Sequence, residues 1–129
     1  PSQIPDPGGM WPLGEPLAWM ADNHRKGISA APGAVTLHAG PEFSHAFWDA
    51  PDGEVSRRLL EAAQPWLGAN VITERVRRWR HSKPLWTHPE RCLYTVDPAP
   101  LLFAGDAFAG PRVEGAVLSG MAAAEHLLQ

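Results

Sequence analysis

Apolar and polar positions change period several times along the chain, and each change marks an element. Leu17–Ala21 is a short apolar run that Asp22-Asn23 interrupts. Ala34–Ala39 carries the β-branched Val35 and Thr36 and reads as a second strand. The two are expected to pair as a hairpin with a long connection over residues 22–33, where Arg25-Lys26-Gly27 turns the chain. Pro41-Glu42-Phe43-Ser44 opens a short helix with proline in its first turn, and Phe43 and Phe47 give it one apolar face ending near Trp48. After the turn Pro51-Asp52-Gly53, Val55, Leu59, Leu60 and Ala63 recur at helical spacing over 54–64, with Arg57, Arg58 and Glu61 outside. Pro65 and Gly68 end that helix. Residues 71–81 alternate throughout and form the longest strand candidate, although neither face is cleanly apolar. Beyond Lys83, Pro84 and Pro89 break the chain before a short strand at Leu93–Val96.

The last quarter has the clearest pattern. Leu101–Ala104 is continuously apolar, as a strand covered on both faces should be. Gly105 and Gly110 bracket a tight loop that contains Asp106. From about Arg112 a helix is expected, with Val113, Val117, Met121 and Ala124 on one stripe and Leu118 beside it. Its first turn leaves backbone N–H groups unpaired, and these favour an electron-rich oxygen or a phosphate.

Composition narrows the classes. At 129 residues, 44% hydrophobic and 19% charged, the chain has globular composition and can bury a core. A net charge of −3 argues against nucleic acid and anionic membrane surfaces as partners. The basic run Arg75, Arg77, Arg78 and Arg80 is interrupted by Val76 and Trp79, which fits a solvated strand face. Cys92 is the single cysteine, so neither an internal disulfide nor a cysteine-rich zinc site is expected. His38 and His45 have no ligand spacing and no HExxH occurs, so no metal is expected. Ser119 falls inside the last helix and not on a nucleophile elbow. No apolar run reaches the length of a membrane span and no leader-like segment is present, so a cytoplasmic location is expected.

The segment Leu101–Glu125 resembles the C-terminal flavin-binding signature of FAD-dependent oxidoreductases of the flavin-containing amine oxidase class, most closely their bacterial renalase-like branch. Trp19–Gly27, Leu37–Ser44 and Arg78–Pro84 are similar to stretches that precede the signature in that family. The resemblance implies an α/β (more strictly α+β) fragment. A mixed or antiparallel substrate-side sheet with short helices would be closed by the C-terminal strand–loop–helix of an FAD-binding fold. The divisions expected are a Pro/Gly-rich lead-in at 1–16, a substrate-side part at 17–97 and the flavin-binding part at 98–129. No G-x-G-x-x-G occurs, so the N-terminal dinucleotide-binding half of the parent protein is expected as a partner.

The same resemblance assigns roles. Gly105 and Asp106 would hold the ribityl chain of FAD, with the carboxylate accepting from its hydroxyls. The first N–H groups of the helix, at Arg112, Val113 and Glu114, would face the pyrimidine end of the ring and stabilise charge on the reduced form. For Glu114 an ordinary role as an acid at a helix N-terminus is preferred. Trp79 is the first candidate for the substrate pocket, with Asn23 and Tyr94 behind it; Trp19 and Trp86 also sit beside strands, where core packing is the competing role. The small-molecule substrate would be a reduced nicotinamide isomer or an amine, oxidised by hydride transfer to FAD and then oxygen. Two readings of another class stay open: a non-catalytic module that binds a partner chain, and a homo-oligomer formed through exposed apolar surface.

Overall fold

The computed structural model describes residues 2–12 and 14–128. It is a mixed α+β chain with small antiparallel sheets and three helices among those residues. It divides into two units, Pro1–Arg78 and Trp79–Gln129.

In the first unit, β1 (Gly9–Met10), β2 (Leu17–Asp22) and β3 (Val35–Ala39) form an antiparallel sheet in the order β1-β2-β3. The hairpin expected from the sequence is present, with Met20 opposite Leu37 and Asp22 opposite Val35. The register shifts between Leu17 and Trp19. Side chains alternate strictly along a regular strand, so Leu17 and Met20 would otherwise face opposite ways. The irregularity lets both reach one core. Ile4, Leu17, Met20 and Ala63 form that core, and Met10, Val35, Leu37, Leu59, Trp66 and Leu67 pack around it.

The lead-in segment is part of this unit. Ile4 is fully buried, Gly9–Met10 is a strand, and Gln3 N donates to Trp66 O at 2.7 Å. A proline-rich stretch still contributes when one apolar side chain finds a core. Trp11, in the same segment, is 78% exposed.

Helix α1 (Pro41–Ala46) starts at Gly40, and Glu15 supplies the cap that Gly40 lacks. The Glu15 carboxylate accepts from Glu42 N and Phe43 N at 3.2 and 3.1 Å. Helix α2 (Asp52–Leu67) extends past both ends of the expected 54–64. Pro65 lies inside its last turn, where it removes one i→i−4 donor and leaves the carbonyl of the exposed Glu61 to solvent, and Gly68 ends the helix in the left-handed region at φ 67°. Val55 and Ala63 are buried and Leu59 half-buried, as the helical spacing required. The Arg78 guanidinium clasps the start of α2, donating to Trp48 O at 2.7 Å, to Ala50 O and to the Asp52 carboxylate.

The long strand expected over 71–81 does not form: those residues make no ladder and only Val76 is half-buried. Alternation gave the segment strand propensity, but a strand needs a neighbour for its backbone groups.

The second unit pairs β4 (Leu93–Thr95) with β5 (Leu101–Phe103) antiparallel, Tyr94 opposite Leu102, and adds α3 (Val113–Leu127). The expectation that Leu101–Ala104 is covered on both faces is corrected: Leu101 and Phe103 are 45% and 47% exposed. The apolar stripe assigned to α3 is also corrected. Val113, Val117, Met121 and Ala124 are exposed, while Ser119 and Ala123 are the buried positions of the helix. Small residues permit close approach to the loop, so the packed face of α3 is the small face and not the bulky one. The two sheets share no strand.

Asp22 organises the turn after β2. It is 3% exposed and accepts from Ser2 Oγ at 2.6 Å, His24 N at 3.0 Å and Arg25 N at 3.1 Å. The Ser2 hydroxyl first, then the Arg25 amide, the His24 amide and the Arg25 charge hold its carboxyl below the ordinary carboxylate value, against an opposing effect of burial. A depressed folded-state pKa adds stability at pH values above the unfolded pKa, and that stability is lost as pH falls through the folded one. Acid titration followed by tryptophan fluorescence is therefore expected to show destabilisation beginning below about pH 5. Asp22→Asn should flatten that acid limb, and Asp22→Ala should cost about 2–3 kcal/mol at neutral pH by stranding the buried Ser2 hydroxyl. An unchanged acid limb in Asp22→Asn would show that another carboxyl governs it.

Candidate functional site

The loop between β5 and α3 is tied down from three sides. Gly105 N donates to Ser119 Oγ at 2.9 Å, so a hydroxyl from the buried face of α3 reaches back to the loop's first residue. His88 N donates to Ala107 O at 2.7 Å and Ala109 N to His88 O at 2.9 Å, a short parallel bridge beside Phe108. The His88 and Phe108 rings lie 5.6 Å apart. At the far end Arg112 N donates to Gly110 O at 2.9 Å.

The backbone here leaves ordinary conformations. Gly105 and Gly110 have φ of 146° and 148°, and Ala109 has φ 58°, which is uncommon for a residue with a side chain. Gly115, in the first turn of α3, faces the Gly110 carbonyl so closely that an added Cβ would overlap its oxygen. Loop and helix start are therefore in direct backbone contact.

At the start of α3, Arg112 is the N-cap in extended conformation and makes no side-chain cap. Ala116 N is the first amide to find an intrahelical acceptor, Arg112 O at 2.9 Å. Among the described residues, the N–H groups of Val113, Glu114 and Gly115 have no hydrogen-bond partner. They form the positive end of a 15-residue helix, at two exposed residues and the half-buried Gly115. Asp106, in the same loop, is exposed and has neither hydrogen bond nor ion pair among the described residues. The Val113 side chain is 83% exposed, and Arg112 and Glu114 are exposed too. The set thus comprises three free donors, one free carboxylate and little side-chain cover. It can take a ligand with an electron-rich edge and hydroxyl groups.

The pocket candidates fall in different units. Asn23 belongs to the first, where its Nδ2 donates to Thr36 Oγ1 at 2.8 Å and its backbone closes the hairpin connection through Ala34, Ile28 and Ser29. Its side-chain oxygen has no partner among the described residues. Thr36 sits in β3 two residues before His38, whose ring lies 5.1 Å from that of Trp19, with Lys26 Nζ 4.8 Å over the Trp19 ring. Asn23, Thr36, His38 and Trp19 therefore share the face of the sheet turned away from α2. Trp79 opens the second unit and is 76% exposed; Trp86 is 85% exposed. Tyr94 is engaged with His126 near the end of α3, with ring centroids 4.4 Å apart.

Three residues that the sequence pattern did not single out hold these features. Asp22 read only as a strand breaker, Arg78 as one charge in a basic run, and Ser119 as an ordinary helical serine. The sole local hint was the Asp22-Asn23 pair, a turn signal whose carboxylate accepts from following amides. Arg78 and Ser119 act on residues far along the chain, and no local pattern encodes that.

No group of three or more potential metal ligands occurs among the described residues, and none of their helices is long and apolar enough to cross a membrane. No family model matches the chain.

The loop–helix contact makes a specific demand on Gly115. Alanine is normally the better helix former by about 1 kcal/mol. Here Gly115→Ala is expected to lower the melting temperature and to speed amide exchange in residues 105–110. Ser119→Ala should expose the Gly105 amide at a cost of about 1 kcal/mol. A Gly115→Ala chain that melts higher than the parent would refute the close contact.

Proposed function

We propose that this chain forms part of an FAD-dependent oxidoreductase of the renalase-like branch of the amine oxidase class, and that the β5–α3 loop and the start of α3 hold the flavin. The carrying observation is the trio of unpartnered N–H groups at Val113, Glu114 and Gly115, in the same strand–loop–helix as the free Asp106 carboxylate. The resemblance of Leu101–Glu125 to the flavin signature supports the choice of ligand.

The bound cofactor would supply a hydride acceptor whose electrons pass on to oxygen. The chain's own residues would do the rest. The three amides and the helix dipole would stabilise negative charge at the edge of the ring without reorganising. Asp106 would accept from the sugar-chain hydroxyls. Gly105 and Gly110 would let the backbone approach, and the exposed Val113 side chain would give the ring an apolar contact. Arg112 and Glu114 would flank the site. Trp79 would offer a flat apolar wall to a small hydride donor, a reduced nicotinamide isomer or an amine. A nicotinamide donor needs no general base.

With no G-x-G-x-x-G in the chain, the adenosine portion of FAD would be held by a dinucleotide-binding half beyond these residues. The second reading, a non-catalytic module for a partner chain, is favoured by the apolar side chains that α3 turns outward.

Visible absorbance and flavin fluorescence test the proposal. The purified chain is expected to leave a desalting column colourless and inactive, yet to quench flavin mononucleotide weakly and saturably. Asp106→Ala should weaken that binding about tenfold, the worth of one charged hydrogen bond. No saturable quenching at millimolar flavin would remove the support for a flavin site.

A further inference from the structure

Residues 69–77 are unusual for an ordered segment. They form no backbone hydrogen bond among the described residues, and all but Val76 are exposed, Ile72 to 99%. Both ends are nevertheless fixed. Gly68 caps α2 at one end, and at the other Arg78 is clasped to Trp48 O, Ala50 O and Asp52 at the opposite end of the same helix. The 16 residues of α2 span about 24 Å. The return from Gly68 to Arg78 shows neither turn nor bend between residues 70 and 79, so the segment is drawn out.

Its sequence is that of a strand: Val71, Ile72, Thr73 and Val76 are β-branched, and polar and apolar positions alternate. A groove of about 770 Å³ lies between its first residues and α2, with Leu60, Leu67 and Val71 among its lining and Arg57 and Glu61 beside them. A drawn-out, strand-forming segment with free backbone donors and acceptors is a template for one more strand.

Charge decides what that strand carries. Residues 69–77 hold Glu74, Arg75 and Arg77, a net +1 in a chain of net −3. Arg78 is committed to α2, whereas Arg75 and Arg77 form no ion pair among the described residues. Two copies laid antiparallel about Glu74 or Arg75 would set like charges directly opposite, which destabilises a strand pair. We propose that residues 69–77 are the docking edge for an extended, acidic segment of a partner polypeptide, which adds as a β-strand along the groove beside α2. This goes beyond the flavin reading and does not depend on it.

The test uses the whole 129-residue chain. The probes are a synthetic peptide of about nine residues alternating valine or threonine with glutamate, its lysine counterpart, and a single-stranded oligonucleotide. Amide exchange is the readout, with sedimentation to report mass. The acidic peptide is expected to slow exchange at amides within 69–77 by about tenfold or more, and the lysine peptide to leave them unchanged. Val76→Pro, which removes a ladder donor, should abolish the protection while far-ultraviolet circular dichroism shows α2 intact. Absence of protection by the acidic peptide overturns the proposal. So does equal protection by the oligonucleotide, undiminished peptide binding to Val76→Pro, or a concentration-dependent dimer that protects the segment without peptide.

Discussion

The first unit depends on where one carboxylate is placed. Asp22 leaves β2 on the core side, buried to 3% exposure, and an unpartnered charge there would be costly. Ser2, His24 and Arg25 all meet it, so the lead-in segment, the sheet and the connection to β3 are joined at one point. Arg25 then reaches Ile4 O at 2.6 Å, beside the fully buried Ile4 side chain. The polar anchor and the apolar core are thus secured by neighbouring residues, and loss of either exposes the other.

The second unit is organised by close approach more than by bulk. Its helix presents Gly115, Ser119 and Ala123 inward and keeps Val113, Val117 and Met121 outside. Only small side chains let a helix meet a loop at backbone distance, and a hydroxyl on that face can satisfy the buried loop amide. The arrangement leaves the first amides of α3 without hydrogen-bond partners among the described residues. It also leaves β5 half exposed and the outer stripe of α3 uncovered, surface that a partner would bury.

Structure and proposed chemistry meet in backbone groups. The donors at Val113, Glu114 and Gly115 belong to the helix geometry and would act whatever their side chains were. What residue identity contributes is access: glycines where the chain must bend or approach, and a short aspartate at the strand's exit. Such a site suits a ligand with its own reactivity, because it positions and stabilises without supplying an acid or base.

The order of elements was legible in the sequence, because local periodicity and turn residues encode it. The hairpin of β2 and β3, the proline start of α1, the Val55–Leu59–Ala63 face of α2 and the β5–loop–α3 succession all follow from spacing. The glycine-bracketed loop and Asp106 were legible for the same reason. Tertiary structure alone decided which apolar stripe of α3 faces inward, since Val113–Val117–Met121 and Gly115–Ser119–Ala123 have the same period and only the loop's proximity selects between them. It alone decided that residues 71–81 form no strand, since a strand is completed by a neighbour and not by its own alternation. And it alone placed Arg78 on α2 and Ser119 on Gly105, because a hydrogen bond across 26 or 14 positions leaves no local trace in the chain.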